Sequence, residues 1–233
     1  MKLSIIICAY NEKDSILTVL DAVQDVNLGP GWDKEIILVD NFSTDGTKEL
    51  LQEVAERDDP TINVIFHPRN LGKGSSIRTG YANATGKYAV IQDADMEYNP
   101  ADLKLLLDKA ESDGADAVFG SRTLGGKVVY KYVQNYLGNM FVTSVINWLF
   151  RGHLTDAATA TKLVRTEIIE GLNLKGSRFD LDFELPCKLL KHGYRIDEIP
   201  ISYQPRTAAE GKKIRPWDGF DALRVILKYR FVD

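Results

Sequence analysis

Short runs of consecutive apolar residues alternate with stretches in which apolar positions recur every three or four residues. Residues 3–9 are continuously apolar apart from Ser4, as in a strand buried on both faces of a parallel sheet. Tyr10-Asn11-Glu12 follows as a loop, and Ser15 or Asp14 is placed to cap a helix reaching about Val26. Ile16, Leu17, Val19, Leu20 and Val23 give that helix one apolar face, and Gly29-Pro30-Gly31 ends it. Strands are expected at 35–39, 63–66, 88–92 and 117–119, with helices at 47–57, from Asn70-Leu71-Gly72-Lys73-Gly74 to about Ala84, and at 100–112. Strand–helix repetition with short connections predicts α/β architecture, a mostly parallel sheet flanked by helices.

The pattern changes after Arg122. A long apolar helix is expected at 132–151, then a polar segment from Asp156 to Thr161. A second helix is expected at 179–191, where Pro186 implies a kink or a later start. The strand predicted at 196–203 contains Pro200, which suits a sheet edge. With no internal repeat and no linker, the 233 residues read as one domain.

Composition narrows the function. The net charge of −4 argues against nucleic-acid binding, which needs a dominant basic surface. Two cysteines, Cys8 and Cys187, make no disulfide framework and point to a reducing cytoplasm. Lys2-Leu3 leads straight into the first strand without the pattern of a signal peptide. The longest apolar stretch, 137–150, is interrupted by Asn139 and Asn147 and is too short to span a bilayer.

The chemistry concentrates at predicted strand ends. Asp93 and Asp95 alternate along an extended backbone where an open α/β sheet places its ligand crevice. Such oxygen ligands suit Mg²⁺ or Mn²⁺, which bind through one or two carboxylates plus substrate phosphates. A polar turn after a strand is the alternative for so short a motif.

The ordered set of strand-end motifs resembles a family 2 glycosyltransferase of the GT-A (Rossmann-like) fold, in the branch that loads sugars onto polyprenyl phosphates. Ala9-Tyr10-Asn11-Glu12, Asp40-Asn41-Phe42-Ser43-Thr44-Asp45-Gly46-Thr47, Asn70-Leu71-Gly72-Lys73-Gly74 and Asp93-Ala94-Asp95 carry the likeness in the first half. Gly120-Ser121-Arg122, Leu154-Thr155-Asp156, Glu198-Ile199-Pro200-Ile201, Arg206 and Glu210-Gly211-Lys212-Lys213-Ile214 continue it. The chain departs from the family in having Asp40-Asn41 where two acids are usual.

The resemblance implies an inverting, metal-dependent transfer of a hexose from a nucleoside-diphosphate sugar, of GDP-mannose or UDP-glucose type, to a polyprenyl phosphate. Residues 1–122 would bind the donor and 123–233 the acceptor. Asp93 and Asp95, with Glu97 as a third ligand or a bridge to water, would hold the metal. Ala9, Tyr10, Glu12, Asp40, Asn70, Gly72, Lys73, Asp93 and Ala94 would bind the nucleotide sugar, the glycines letting backbone approach phosphate. Arg122, Arg206, Lys212 and Lys213 would take the acceptor phosphate. Asp156 and Glu184 complete the catalytic set with Asp93, Asp95 and Arg122, either positioning the sugar or serving as base for a hydroxyl acceptor. A saccharide hydroxyl acceptor in surface-glycan assembly is the alternative, and an inactive sugar-nucleotide scaffold is the non-enzyme alternative. Residues 206–230 carry seven Lys/Arg against three acids, so peripheral association with the inner membrane face is also expected.

Overall fold

The computed structural model describes residues 1–125, 133–205 and 218–232, with side chains left out at 218–221. The apolar runs form the strands expected of them: β1 (Lys2–Ala9), β2 (Asp33–Asp40), β3 (Ile62–Phe66), β4 (Tyr88–Asp93) and β5 (Ala117–Ser121). Between them lie α1 (Ile16–Asp25), α2 (Thr47–Ala55), α3 (Lys73–Ala82) and α4 (Asp102–Asp113). The second half contributes α5 (Val133–Phe150), β6 (Lys162–Arg165), α6 (Thr166–Gly171), α7 (Asp180–Lys191), β7 (Ile196–Pro200) and α8 (Asp218–Phe231).

All seven strands form one sheet in the order β3-β2-β1-β4-β6-β5-β7. The neighbours β3-β2, β2-β1, β1-β4 and β5-β7 pair in parallel, and β6 runs antiparallel between β4 and β5. β7 is an edge strand, as Pro200 requires. Successive β1 residues point to opposite faces, and the core divides accordingly. Ile5 and Ile7 pack with Val19, Leu20, Leu103 and Leu106 of α1 and α4, while Ile6 packs with Ile77, Ile146, Leu185 and Ile226 of α3, α5, α7 and α8. Burying strands on both faces explains their continuous apolar character.

Two expectations need correction. β6 and α6 arise from 162–171, where Lys162 and Arg165 bracket only two apolar residues and hide the strand. Pro186 neither delays nor ends α7, which starts at Asp180 and runs through it. Proline lacks the N–H that would bond the carbonyl four residues earlier. That carbonyl, of Asp182, instead accepts a hydrogen bond from the buried ammonium of Lys162 at 3.0 Å.

Candidate active site

The sheet grows from β1 through β2 to β3 in one direction and resumes at β4 on the other side of β1, which opens a crevice beyond the carboxyl ends of β1 and β4. Register places Ala9 beside Asp40 and Cys8 beside Asp93, so the three expected loops emerge together. The first two are laced to each other. The Asn11 amide donates to Ser43 Oγ (3.0 Å), the Thr44 amide to Asn11 Oδ1 (2.9 Å) and the Glu12 amide to Thr47 Oγ1 (2.9 Å).

Asp40 is engaged by its own turn. It is fully buried, and its carboxylate accepts the amides of Phe42 and Ser43 at 3.2–3.3 Å. The turn it holds presents Phe42, 44% exposed, near Tyr10, 37% exposed. Phe42 sits in the left-handed region at φ 67°, a strained conformation for a bulky side chain. Asn41 is buried and satisfies three neighbours: it donates to Asn70 Oδ1 (3.0 Å), accepts from the Leu71 amide (2.9 Å) and meets His67 Nδ1 (3.1 Å). A carboxylate could not donate to Asn70, so the departure at this position is built into the network. Burial holds the His67 pKa below its ordinary value despite the nearby Asp40 charge.

Asn70, Gly72 and Lys73 separate into different roles. Asn70 Oδ1 accepts the Gly72 amide (3.0 Å) and Asn41, so its side chain shapes the loop. Gly72 has φ 91°, and a Cβ there would lie 2.2 Å from the Ser177 carbonyl oxygen; one on Gly74 would lie 2.6 Å from that of Arg178. The Ser75 amide donates to the same Ser177 carbonyl at 3.1 Å. These glycines therefore let α3 meet the 176–178 loop. Lys73 alone of the motif reaches the acids, pairing with Asp93 Oδ1 at 2.7 Å. Burial works against its charge, but Asp93 and Asp182 override it and hold its pKa above the ordinary lysine value.

Asp95 is nearly buried, with Oδ1 accepting the Glu97 amide at 3.0 Å. The Ala94 carbonyl accepts the Ser15 hydroxyl at 2.8 Å, so Ser15 ties α1 to the Asp93–Asp95 turn and makes no side-chain cap. Glu97 Oε2 accepts the Tyr203 hydroxyl at 3.0 Å. Among the described residues no three acidic, imidazole or thiol groups converge as metal ligands. Two hard carboxylates at a strand end suit a hexacoordinate Mg²⁺ or Mn²⁺ whose other ligands are diphosphate and water.

Across the crevice stands Arg122. Its Nε and Nη2 donate to the two oxygens of Asp156, each at 2.7 Å, and its amide donates to Oδ2 at 3.0 Å. Asn139 of α5 donates to Asp156 Oδ1 at 2.9 Å, and Glu198 of β7 accepts the amides of Thr155 and Asp156. Burial disfavours the Asp156 charge, yet the Arg122 guanidinium overrides it and keeps the carboxyl below the usual range. Asp156 is the anchor of Arg122, and its lone pairs are already engaged. The guanidinium lies over the Tyr203 ring at 5.3 Å, and that ring packs on Tyr98 at 5.0 Å. Burial pushes the Tyr98 hydroxyl pKa up, with the Arg122 charge lowering it and the Asp93 and Asp156 charges raising it. Arg206, Lys212 and Lys213 lie outside the described residues.

Glu184 was also expected in the chemistry but is fully buried. It accepts the Lys175 and Gly176 amides and pairs with Lys188 at 3.0 Å, fixing the loop before α7. Two groups escaped the sequence reading. Asp182 is half-buried and acts electrostatically on Lys73. Lys162 is buried, donates to the carbonyls of Thr159 (2.6 Å) and Asp182, and is pushed down to about 8 by burial, partly offset by Asp182 and Asp156. A proline inside a predicted helix, needing a donor from elsewhere, was the available signal.

Residues 4–172 match the family described as Glycosyl transferase family 2, and the chain belongs to that family. It is 29% identical over 217 residues to a dolichol-phosphate mannosyltransferase of Pyrococcus furiosus, covering 91% of this chain and 59% of that protein. It is 32% identical over 167 residues to an undecaprenyl-phosphate 4-deoxy-4-formamido-L-arabinose transferase of Klebsiella pneumoniae, covering 67% and 50%. The chain thus spans 59% of the first relative's length and half of the second's. Its fold matches glucosyl-3-phosphoglycerate synthase of Mycobacterium tuberculosis, solved with Mg²⁺ and uridine diphosphate, with a TM-score of 0.72 at 18% identity over 100% of this chain and 80% of that one. The fold is the GT-A arrangement of glycosyltransferases.

Proposed function

We propose that the protein transfers a hexose, with inversion, from a nucleoside-diphosphate sugar of GDP-mannose or UDP-glucose type to a polyprenyl phosphate. The observation that carries this reading is Arg122, whose guanidinium is held by Asp156 in a bidentate clamp and lies over the Tyr203 ring. The two curated relatives named for dolichol and undecaprenyl phosphates support the acceptor class. Neighbours solved with uridine diphosphate and Mn²⁺ or Mg²⁺ support the donor and metal.

In the reaction the bond between the anomeric carbon and the β-phosphate oxygen breaks, and an acceptor phosphate oxygen bonds to that carbon from the opposite side. A divalent ion held by Asp93 and Asp95 would supply Lewis-acid neutralisation of the departing diphosphate. Lys73 adds positive charge beside Asp93. Exposed Tyr10 and Phe42 provide flat apolar faces where a nucleobase would lie.

A phosphate monoester, with its second pKa near ~6, is already anionic at neutral pH and needs a cation more than a base. Both carboxylates expected to act as base, Asp156 and Glu184, are buried under hydrogen bonds, which favours phosphate over a hydroxyl acceptor. A hydroxyl acceptor would turn to half-buried Asp182.

Transfer from a panel of UDP- and GDP-sugars to a polyprenyl phosphate with Mg²⁺ or Mn²⁺, read by mass spectrometry, tests the proposal. A metal-dependent lipid-linked sugar that disappears in Asp95→Asn is expected. Nucleotide-dependent stabilisation without that product would remove the phosphate acceptor, and absence of both product and nucleotide binding would leave a scaffold that handles no sugar nucleotide.

A further inference from the structure

The helix α5 contains no charged residue from Val133 to Phe150 and divides into two unlike faces. Its inner face buries Asn139, Val142, Thr143, Ile146 and Phe150 against the domain. Its outer face exposes Val133 (71%), Leu137 (57%), Met140 (44%), Phe141 (57%) and Trp148 (81%). Positions 133, 137, 141, 144 and 148 advance by three or four residues, so they form one continuous stripe. The polar member, Ser144, donates its hydroxyl back to the Met140 carbonyl at 2.7 Å. A contiguous apolar stripe of this length is unusual on the surface of a soluble monomer and marks an interaction surface.

We infer that the outer face of α5 docks on a lipid bilayer surface. Three observations select this occupant. The stripe combines large aliphatic and aromatic groups with an exposed tryptophan, the composition of a helix lying in the membrane interface. Its surroundings are basic. Arg151 is exposed just past its end, and α8, packed beside it, exposes Arg224, Lys228 and Arg230 together with Leu227, Phe231 and Val232. No Asp or Glu occurs between Arg224 and Val232, so this flank is complementary to anionic headgroups. Finally, no helix among the described residues is long and apolar enough to cross a membrane, so α5 would lie on the surface.

The inner face explains why docking matters to the site. Asn139 holds Asp156, Asp156 holds Arg122, and Thr143 Oγ1 accepts the Ala157 amide at 3.1 Å. The helix that would rest on lipid is therefore the one that braces the acceptor-side guanidinium. Docking of α5 would thereby bring the bilayer that carries the lipid phosphate to the element that holds Asp156 and Arg122 in place. This consequence rests on the proposed acceptor; the docking itself does not.

Flotation of the full chain with vesicles of phosphatidylcholine alone, and of an equimolar phosphatidylcholine–phosphatidylglycerol mixture, both without polyprenyl phosphate, tests the surface separately from the reaction. The wild-type chain is expected to float with the anionic vesicles. The double variant Phe141→Ser, Trp148→Ser should lose roughly tenfold or more of that partitioning while keeping its melting temperature. Vesicles carrying a bromine-labelled acyl chain should quench wild-type tryptophan fluorescence and should quench Trp148→Phe far less. Failure of the wild type to float, or equal flotation of the double variant, would overturn the inference. So would a wild-type dimer in sedimentation that the double variant dissolves, which would assign the stripe to a second copy. Transfer to a short, water-soluble prenyl phosphate without flotation would sink the docking alone. Flotation without any transfer would sink the proposed reaction alone.

Discussion

Asp93 and Glu184 each face a lysine, at 2.7 Å from Lys73 and 3.0 Å from Lys188, and differ chiefly in what water can reach. At the donor side 24% of Lys73 and 19% of the Asp93 side chain remain accessible, whereas Lys188 and Glu184 are 2% and 0% exposed. In the proposed reaction the first pair would exchange partners for a metal and a diphosphate. The second is closed by the Lys175 and Gly176 amides and serves the loop. Under the proposed reaction, two carboxylates with similar partners would divide into reacting and supporting groups by exposure. Asp156 belongs with Glu184 in burial, yet it supports the Arg122 guanidinium that is proposed to meet the acceptor.

The largest expected effect is at that anchor. Asp156→Ala leaves the Arg122 charge without its partner and should cost about 3–5 kcal/mol, read by urea unfolding. A loss under about 1 kcal/mol would place Asp156 with the exposed pairs.

Lys162 probes the supporting side through pH. Its folded pKa is pushed from 10.5 to about 8, so below pH 8 both states carry the charge and the buried ammonium destabilises the fold. Between about 8 and 10.5 the native state releases its proton first, the unfolded chain binds more protons, and stability rises with pH. The wild-type gain over this window, relative to Lys162→Met, should be on the order of 3 kcal/mol. Parallel curves for the two proteins would show that Lys162 does not titrate there.

Phe42 probes the donor side with opposite signs in two readouts. Phe42→Gly removes left-handed strain of ~1–2 kcal/mol against a glycine entropy cost of ~0.5–1 kcal/mol, so stability should rise by about 0.5–1 kcal/mol. Loss of the aromatic face should weaken nucleotide binding roughly tenfold in calorimetry. Unchanged affinity would remove Phe42 from the base site.

Most of this contrast was beyond the sequence for definable reasons. Continuous apolar runs made β1, β2 and β4 legible, and the acids at the end of β4 marked the crevice because strand ends are where such sheets bind ligands. The short β6, with a basic residue at each end, gave too little periodicity. Asp182 and Glu184 stand two residues apart on α7 and so lie on different faces of the helix, but sequence does not say which face meets the crevice. The close approach of Gly72 and Gly74 to Ser177 and Arg178 is not legible in the sequence, because those partners are distant in the chain. Asp40 was legible as a strand-end acid, although its burial follows from the turn it caps.

The most direct measurement pairs Asp93→Asn with Glu184→Gln, each followed by unfolding free energy and by sugar transfer per folded molecule. Asp93→Asn should lose transfer by about 10²–10³-fold and less than about 1 kcal/mol of stability. Glu184→Gln should lose several kcal/mol, about 3–5, and keep near-normal turnover in the folded fraction. A Glu184→Gln protein as stable as wild type but inactive would contradict the division of roles.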